Sequence, residues 1–493
     1  MKTLSKLLAA GLLGALPLQA LAASDAPGSA VAVEPIVEPV TTRHSVTVDQ
    51  RKVPYLATFG ETVLIDADGQ PQATISATAY VRADVRERAE RPVVFFFNGG
   101  PGASSSPLHF GALGPRHRTD RDAAGLRQIV ENPQSLIDAA DLVYVDPVGT
   151  GFSRQLPGGD ARPYWSNAGD AAAVLHLVRT WLEDNGREAS PVIITGQSYG
   201  GYRLARMMKD AGDLNLRALV FISPSLRNPG TDSDLDRVFD LPSMAMAAWY
   251  HGRIERDGKS AEQWFADAAS FARTEYLVGL FQGAALPLAE RDRLAARMSA
   301  LIGLPAKTIA ESDLRIDSET FLNALLADRK LVVGRLDARV TGPVPTDAPP
   351  DRPAAANDPA LGLGASNVIT STDIGRYLRE ELEVPTARDY VSLTLDVNFK
   401  WDRSDPDSQP GAPGPARNIA PIMEQKPELE VLLMGGIYDL ATPLLGSIYD
   451  IEHAGIPLDR VTIARFEAGH SPYEGAQNRV RMSELFRRLI AVE

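Results

Sequence analysis

Six short apolar runs constrain this chain more than any other feature: "PVVFFF" (92–97), "DLVYVD" (141–146), "PVIIT" (191–195), "ALVFIS" (218–223), "EVLLMG" (430–435) and "VTIARF" (461–466). They are nearly continuous in apolar residues rather than alternating. Runs of that kind suit strands buried on both faces of a mostly parallel sheet. Helical patterns lie between several of them, such as "AGDAAAVLHLVRTWLEDNG" from Ala168, which ends in the C-cap signal Asn185-Gly186. Strands alternating with helices predict an α/β fold with covering helices.

Ahead of the first run, "HSVTV" and "ATISATAYV" alternate in polarity and are broken by "DADGQP", so His44 to Arg82 reads as antiparallel strands joined at a tight Asp-Gly turn. Between about Leu226 and Asp396 the strand-helix alternation stops. That segment is helix-rich to Lys330, with amphipathic stretches "AEQWFADAASFARTEYL" and "LPLAERDRLAARMSALIG". A turn-rich Pro/Ala loop follows at 341–366. The expected organisation is a core in two parts, 44–225 and 397–493, with 226–396 inserted between them as a helical cap.

The N terminus has two lysines, an apolar stretch from Leu7, a break at Pro17 and a small-x-small site at Ala20-Leu21-Ala22. Residues 1–22 therefore read as a secretory signal peptide, the apolar run being shorter than the ~18 residues of a membrane span. Residues 23–43 read as a low-order leader, and the expected compartment is a bacterial periplasm or the medium. The chain has no cysteine, which removes disulfides, a thiol nucleophile and thiolate-bound metal. The formal net charge of −13, with no long basic run, argues against a nucleic-acid or anionic-membrane partner.

The third of these runs leads directly into Gly196-Gln197-Ser198-Tyr199-Gly200, and "YRLARMMKDAG" continues as a helix whose buried side would carry Tyr202, Met207 and Met208. Strand, sharp turn and helix are what a nucleophile elbow requires, with glycines allowing the serine hydroxyl to project above the sheet. A serine hydroxyl attacks only when a base takes its proton and an acid orients the base. His470, in "VTIARFEAGHSPY", sits on the loop after a late strand and is the candidate base; His176 and His453 fall in helical patterns and His44 precedes the sheet. For the acid, Asp439 in "EVLLMGGIYDLATP" gives the chain order Ser198, Asp439, His470 of an α/β-hydrolase, and Asp146 in "DLVYVDPVGTGFS" is the alternative. The glycine loop "FFFNGGPGASSS" and the elbow offer the backbone N–H groups of Gly100 and Tyr199 as an oxyanion hole. No Gly-Lys-Ser/Thr follows that glycine loop and no HExxH motif is present, so no metal or organic cofactor is expected.

Together "NGGPGASSS", "DPVGTGFS", "GQSYGGYR", "YDLATP" and "EAGHSPY" resemble the serine carboxypeptidase family, in motif order from about Val46 to the C terminus. The absence of cysteines resembles a bacterial, exported branch. The resemblance implies an α/β-hydrolase fold, Ser198, Asp439 and His470 as the triad, Gly100 and Tyr199 as the oxyanion hole, and peptides with a free C-terminal carboxylate as substrates. It assigns carboxylate binding to Asn98, with Gly99 and Gln197 beside it. Two positions depart from the family pattern: Gln197 and Ala112 stand where it has glutamates. An amide donates to an anion without needing a proton from solution, so a less acidic optimum is expected; the alternative is that Gln197 packs under the elbow and the carboxylate site is lost. Arg203 is either a second anion anchor or a structural ion pair. Tyr164, Trp165, Trp249 and Tyr250 either line a side-chain pocket or pack. The expected activity is that of a serine carboxypeptidase, with an esterase, amidase or acyltransferase on the same triad, or a non-catalytic binding protein, as alternatives.

Overall fold

The computed structural model describes residues 36–120, 125–228, 233–345, 354–364, 366–404 and 414–491. The expected signal peptide at 1–22 lies outside them. Nine strands build the central sheet: β1 Val40–Val48, β2 Arg51–Ile65, β3 Pro71–Arg82, β4 Val93–Phe97, β5 Asp141–Asp146, β6 Val192–Gln197, β7 Leu216–Ile222, β8 Glu430–Gly436 and β9 Val461–Phe466. Their order across the sheet is β1-β2-β3-β5-β4-β6-β7-β8-β9. The strands from β1 to β5 pair antiparallel across the sheet, and every pair from β5 to β9 is parallel. This is an α/β-hydrolase-like fold.

The continuous apolar runs are explained by cover on both faces. Phe95 and Phe97 of β4, Ile194 of β6 and Phe221 of β7 join one core, with Val174 and Val178 of α1 (Asn167–Asp184). Phe96, Ile193 and Val220 alternate with them and join a second core with Phe486 of the C-terminal helix Ala476–Ile490. Each phenylalanine buried in this way contributes roughly 1.5–3 kcal/mol. The Ser166 hydroxyl starts α1 by accepting from the Gly169 N–H at 3.1 Å.

Three expectations change. The first strand begins at Val40 rather than His44, because Val40 pairs with Phe59 and Val37 is already buried. β9 is not buried on both faces: it is the sheet edge, and only Ala464 and Phe466 of the strand are buried. The segment between β7 and β8 starts as helices, including α2 of the insertion's own series at Asp234–Tyr250, which opens with a Ser233/Asp236 capping box, and a helix at Leu288–Ile302. Its second half is not a helical cap. Within the expected loop, Thr341–Pro343 pairs with Leu331–Val333, and later Val368–Thr370 pairs with Val391–Thr394. Val391–Thr394 also bonds the glycine loops of the core: Ser104 N–H donates to Ser392 O at 3.0 Å, Thr394 N–H to Gly102 O at 2.8 Å, and Gly151 N–H to Val391 O at 2.8 Å.

Candidate active site

Strand β6 is wholly buried and ends at Gln197; Ser198 follows with φ 59° and ψ −129°, and a helix starts at Tyr199 and runs to Met207. A positive φ at a serine is strained, and it is held here by three backbone bonds. Ser198 N–H donates to Ile222 O at 3.0 Å, and Ser198 O accepts from the N–H groups of Gly201 at 2.9 Å and Ser225 at 3.0 Å. A Cβ at Gly196 would collide with the Gly200 carbonyl, so the strand and the helix can approach this closely only without one. A Cβ at Gly99 would collide with the Tyr199 amide, so the 98–100 loop lies directly against the first turn of the helix. Gly100 and Tyr199 line one cavity with Ser198 and His470.

His470 Nδ1 lies 2.7 Å from Asp439 Oδ2. The Asp439 carboxylate is fully buried and is fixed by its own loop: Oδ1 accepts the N–H groups of Ala441 at 2.8 Å and Thr442 at 3.1 Å. The Thr442 hydroxyl lies 2.8 Å from both Asp439 Oδ2 and the Ser223 carbonyl, and its single proton serves one of them at a time. A carboxylate accepts only, so Nδ1 carries the imidazole proton and Nε2 is left as the basic nitrogen. The His470 backbone is held by Leu336 O, which accepts its N–H at 2.7 Å. Asp146, the alternative acid, is committed elsewhere. Its Oδ1 accepts the Ser105 N–H at 2.8 Å and the Ser105 hydroxyl at 2.7 Å, and its Oδ2 accepts the Tyr390 hydroxyl at 2.9 Å.

Gln197 is a junction under the elbow. Its Oε1 accepts Asn98 Nδ2–H at 2.7 Å and the Tyr473 hydroxyl at 2.9 Å, and its Nε2–H donates to the His470 carbonyl at 2.8 Å. Both lone pairs of the oxygen are used and one N–H remains. With the side chain 2% exposed, the amide binds the nucleophile strand to the loop of the base. Asn98 lines the cavity with Gln197 and Gly99. Ala112, at the second departure from the family pattern, is buried, and its carbonyl accepts Asn132 Nδ2–H at 2.9 Å.

Arg203 is a structural ion pair rather than an anion anchor. It is 1% exposed, and it donates to Asp170 Oδ2 at 2.6 Å and to the Asn98 carbonyl at 2.6 Å. It therefore positions the Asn98 backbone from below. Burial pushes the Asp170 carboxyl up even so, against the pull of Arg203.

The cavity measures about 1270 Å³. None of Tyr164, Trp165, Trp249 and Tyr250 lines it; its aromatic wall includes Phe110, Tyr199, Tyr202, Trp401 and Tyr473. Trp401 was not a sequence candidate. It stands edge-on to Tyr199 at 5.2 Å between ring centres, and its Nε1–H donates to Asn167 Oδ1 at 3.0 Å. A lone tryptophan beside a Pro/Gly/Asp-rich stretch was the signal available. Thr442 and Tyr473 stood inside the motifs "YDLATP" and "EAGHSPY", but their bonds depend on tertiary contact.

Residues 79–275 match the family model described as "Serine carboxypeptidase". Over that segment the chain is similar to the serine carboxypeptidases. The matched segment holds Ser198, Asn98 and the glycine loop, and Asp439 and His470 lie beyond it. Among curated proteins, the chain is 35% identical over 150 residues to "Serine carboxypeptidase-like 36" of Arabidopsis thaliana, covering 27% of this chain and 28% of that protein. It is 28% identical over 195 residues to "Serine carboxypeptidase-like 42" of the same plant, covering 36% and 37%. The match thus spans about three-tenths of the length of the first of these relatives. A solved structure similar in fold is Kex1(delta)p, a prohormone-processing carboxypeptidase from Saccharomyces cerevisiae, with a TM-score of 0.54 at 14% identity over 88% of this chain and 91% of that one.

Proposed function

We propose that this protein is a serine carboxypeptidase that releases the C-terminal residue of peptides through an acyl-enzyme on Ser198. The observation that carries the proposal is the buried Asp439 carboxylate fixing His470 Nδ1 in the cavity that also holds the strained Ser198. His470 Nε2 takes the Ser198 proton as Oγ attacks the last peptide carbonyl. The oxyanion so formed is held by the N–H groups of Gly100 and Tyr199, and His470 then passes the proton to the departing amino group. Water, deprotonated by the same nitrogen, releases the peptide from the serine. Asn98 and the remaining Gln197 N–H are the neutral donors for the terminal carboxylate.

The test is kcat/KM for a blocked dipeptide with a free C-terminal carboxylate against its C-terminal amide. Charge-assisted hydrogen bonds to the carboxylate set the expected preference for the acid at about 10- to 100-fold. Equal rates would move the reading to an amidase or esterase using the same residues.

The Gln197 junction sets a pH response. In Gln197→Glu one oxygen still accepts from Asn98 and Tyr473, but the other faces the His470 carbonyl and needs a proton to bond it. Burial without a cationic partner raises a carboxyl pKa. The variant is expected to approach wild-type kcat/KM near about pH 5 and to fall at least about tenfold behind by about pH 8, where an unprotonated His base is most active. Parallel profiles for the two proteins over that range would remove the junction role.

A further inference from the structure

The chain has a formal net charge of −13, yet the cavity in front of Ser198 is lined by seven arginines against two carboxylates, Asp120 and Glu474. Several of the arginines are engaged within the protein, among them Arg118 with Asp373, Arg227 with Asp236 and Asp450, and Arg339 with Asp337 and Glu474. Arg335 differs. Its Nε–H is buried with no acceptor, and its guanidinium makes no ion pair among the described residues. Asp358, which bonds the next residue, accepts the N–H groups of Leu336 at 2.8 Å and Ala360 at 2.9 Å.

Arg335 is also built into the scaffold of the acid and the base. Its carbonyl accepts the Leu440 N–H at 2.9 Å, next to Asp439, and the adjoining Leu336 carbonyl accepts the His470 N–H at 2.7 Å. Arg335 is half-buried, and its buried Nε–H is a donor with its acceptor still to be supplied. A guanidinium fork matches a carboxylate with two parallel bonds, and a cavity lined with one sign of charge concentrates ligands of the other.

We propose that Arg335 is a specificity residue that binds a carboxylate of the substrate. This rests on the peptidase reading above for its substrate, though not for its measurement. The carboxylate belongs to the substrate's C terminus or to an acidic side chain beside the scissile bond, and two small ligands separate these sources. N-acetylglutamine carries only the terminal carboxylate. N-acetylglutamate α-amide carries only the side-chain one. Calorimetric titration of the full chain, in a Ser198→Ala background so that turnover does not intervene, gives Kd for each.

Adding Arg335→Gln is expected to weaken one of the two by about 10- to 100-fold, the range of a lost charge-assisted bond, and Arg335→Lys is expected to restore part of the loss. The ligand affected names the source. The proposal is overturned if neither ligand binds the parent, or if both bind the Arg335→Gln protein as well as the parent while Arg335→Lys also matches it. Should the active chain hydrolyse no peptide at all, the peptidase reading fails alone and the titration still decides the role of Arg335.

Discussion

Ser198→Ala is expected to lower kcat for a blocked dipeptide by on the order of 10⁶-fold while leaving the fold intact. The hydroxyl supplies the covalent step, and Ser198 lines one cavity with His470, while the nearby Thr442 hydroxyl faces Nδ1, the nitrogen that already carries its proton. Stability is unaffected because the bonds that hold the turn come from the Ser198 backbone, which alanine retains. Alanine also pays the same strain at φ 59° that serine does. The measurement is single-turnover hydrolysis together with a thermal melt. Retention of more than about a hundredth of the rate, with an unchanged melt, would relocate the nucleophile.

Asp439→Asn is expected to cost about 10⁴-fold in kcat at neutral pH. The size of the effect follows from how the acid loop orients the new amide. The backbone N–H groups of Ala441 and Thr442 both point at Oδ1, so the amide oxygen takes that place and the NH₂ turns to His470. Facing a donor, Nδ1 gives up its proton and Nε2 takes it, so the nitrogen that should accept the serine proton is already occupied. A loss smaller than about tenfold would show that another acid orients the imidazole.

The fold was legible because the sheet is buried on both faces: side chains as different in direction as Phe95 and Phe96 both needed to be apolar, and the run itself announced the strand. β9 read the same way although it is an edge, since Ala464 and Phe466 supply enough apolar character in the sequence to conceal its exposed residues. Val391–Thr394 was invisible for the opposite reason. Its pairing is carried by backbone groups of Gly102, Ser104 and Gly151, which leave no side-chain periodicity. At the site, Ser198, Asp439 and His470 could be nominated because each lies just beyond the end of a strand. The bonds of Gln197 and the missing partner of Arg335 are properties of what comes to lie around them, and spacing in one chain does not encode that.

The short strand Val391–Thr394 bears on how this architecture can be changed. Segments inserted between the seventh and eighth strands invite treatment as cassettes, to be exchanged for new selectivity. Here the last portion of the insertion is bonded to Gly102 and Ser104, within a few residues of the Gly100 amide. A donor cassette that ended before residue 391 could leave the helices at 234–324 replaceable and this catalytic wall undisturbed. A wholesale exchange would discard part of the mould in which the reacting carbonyl is cast.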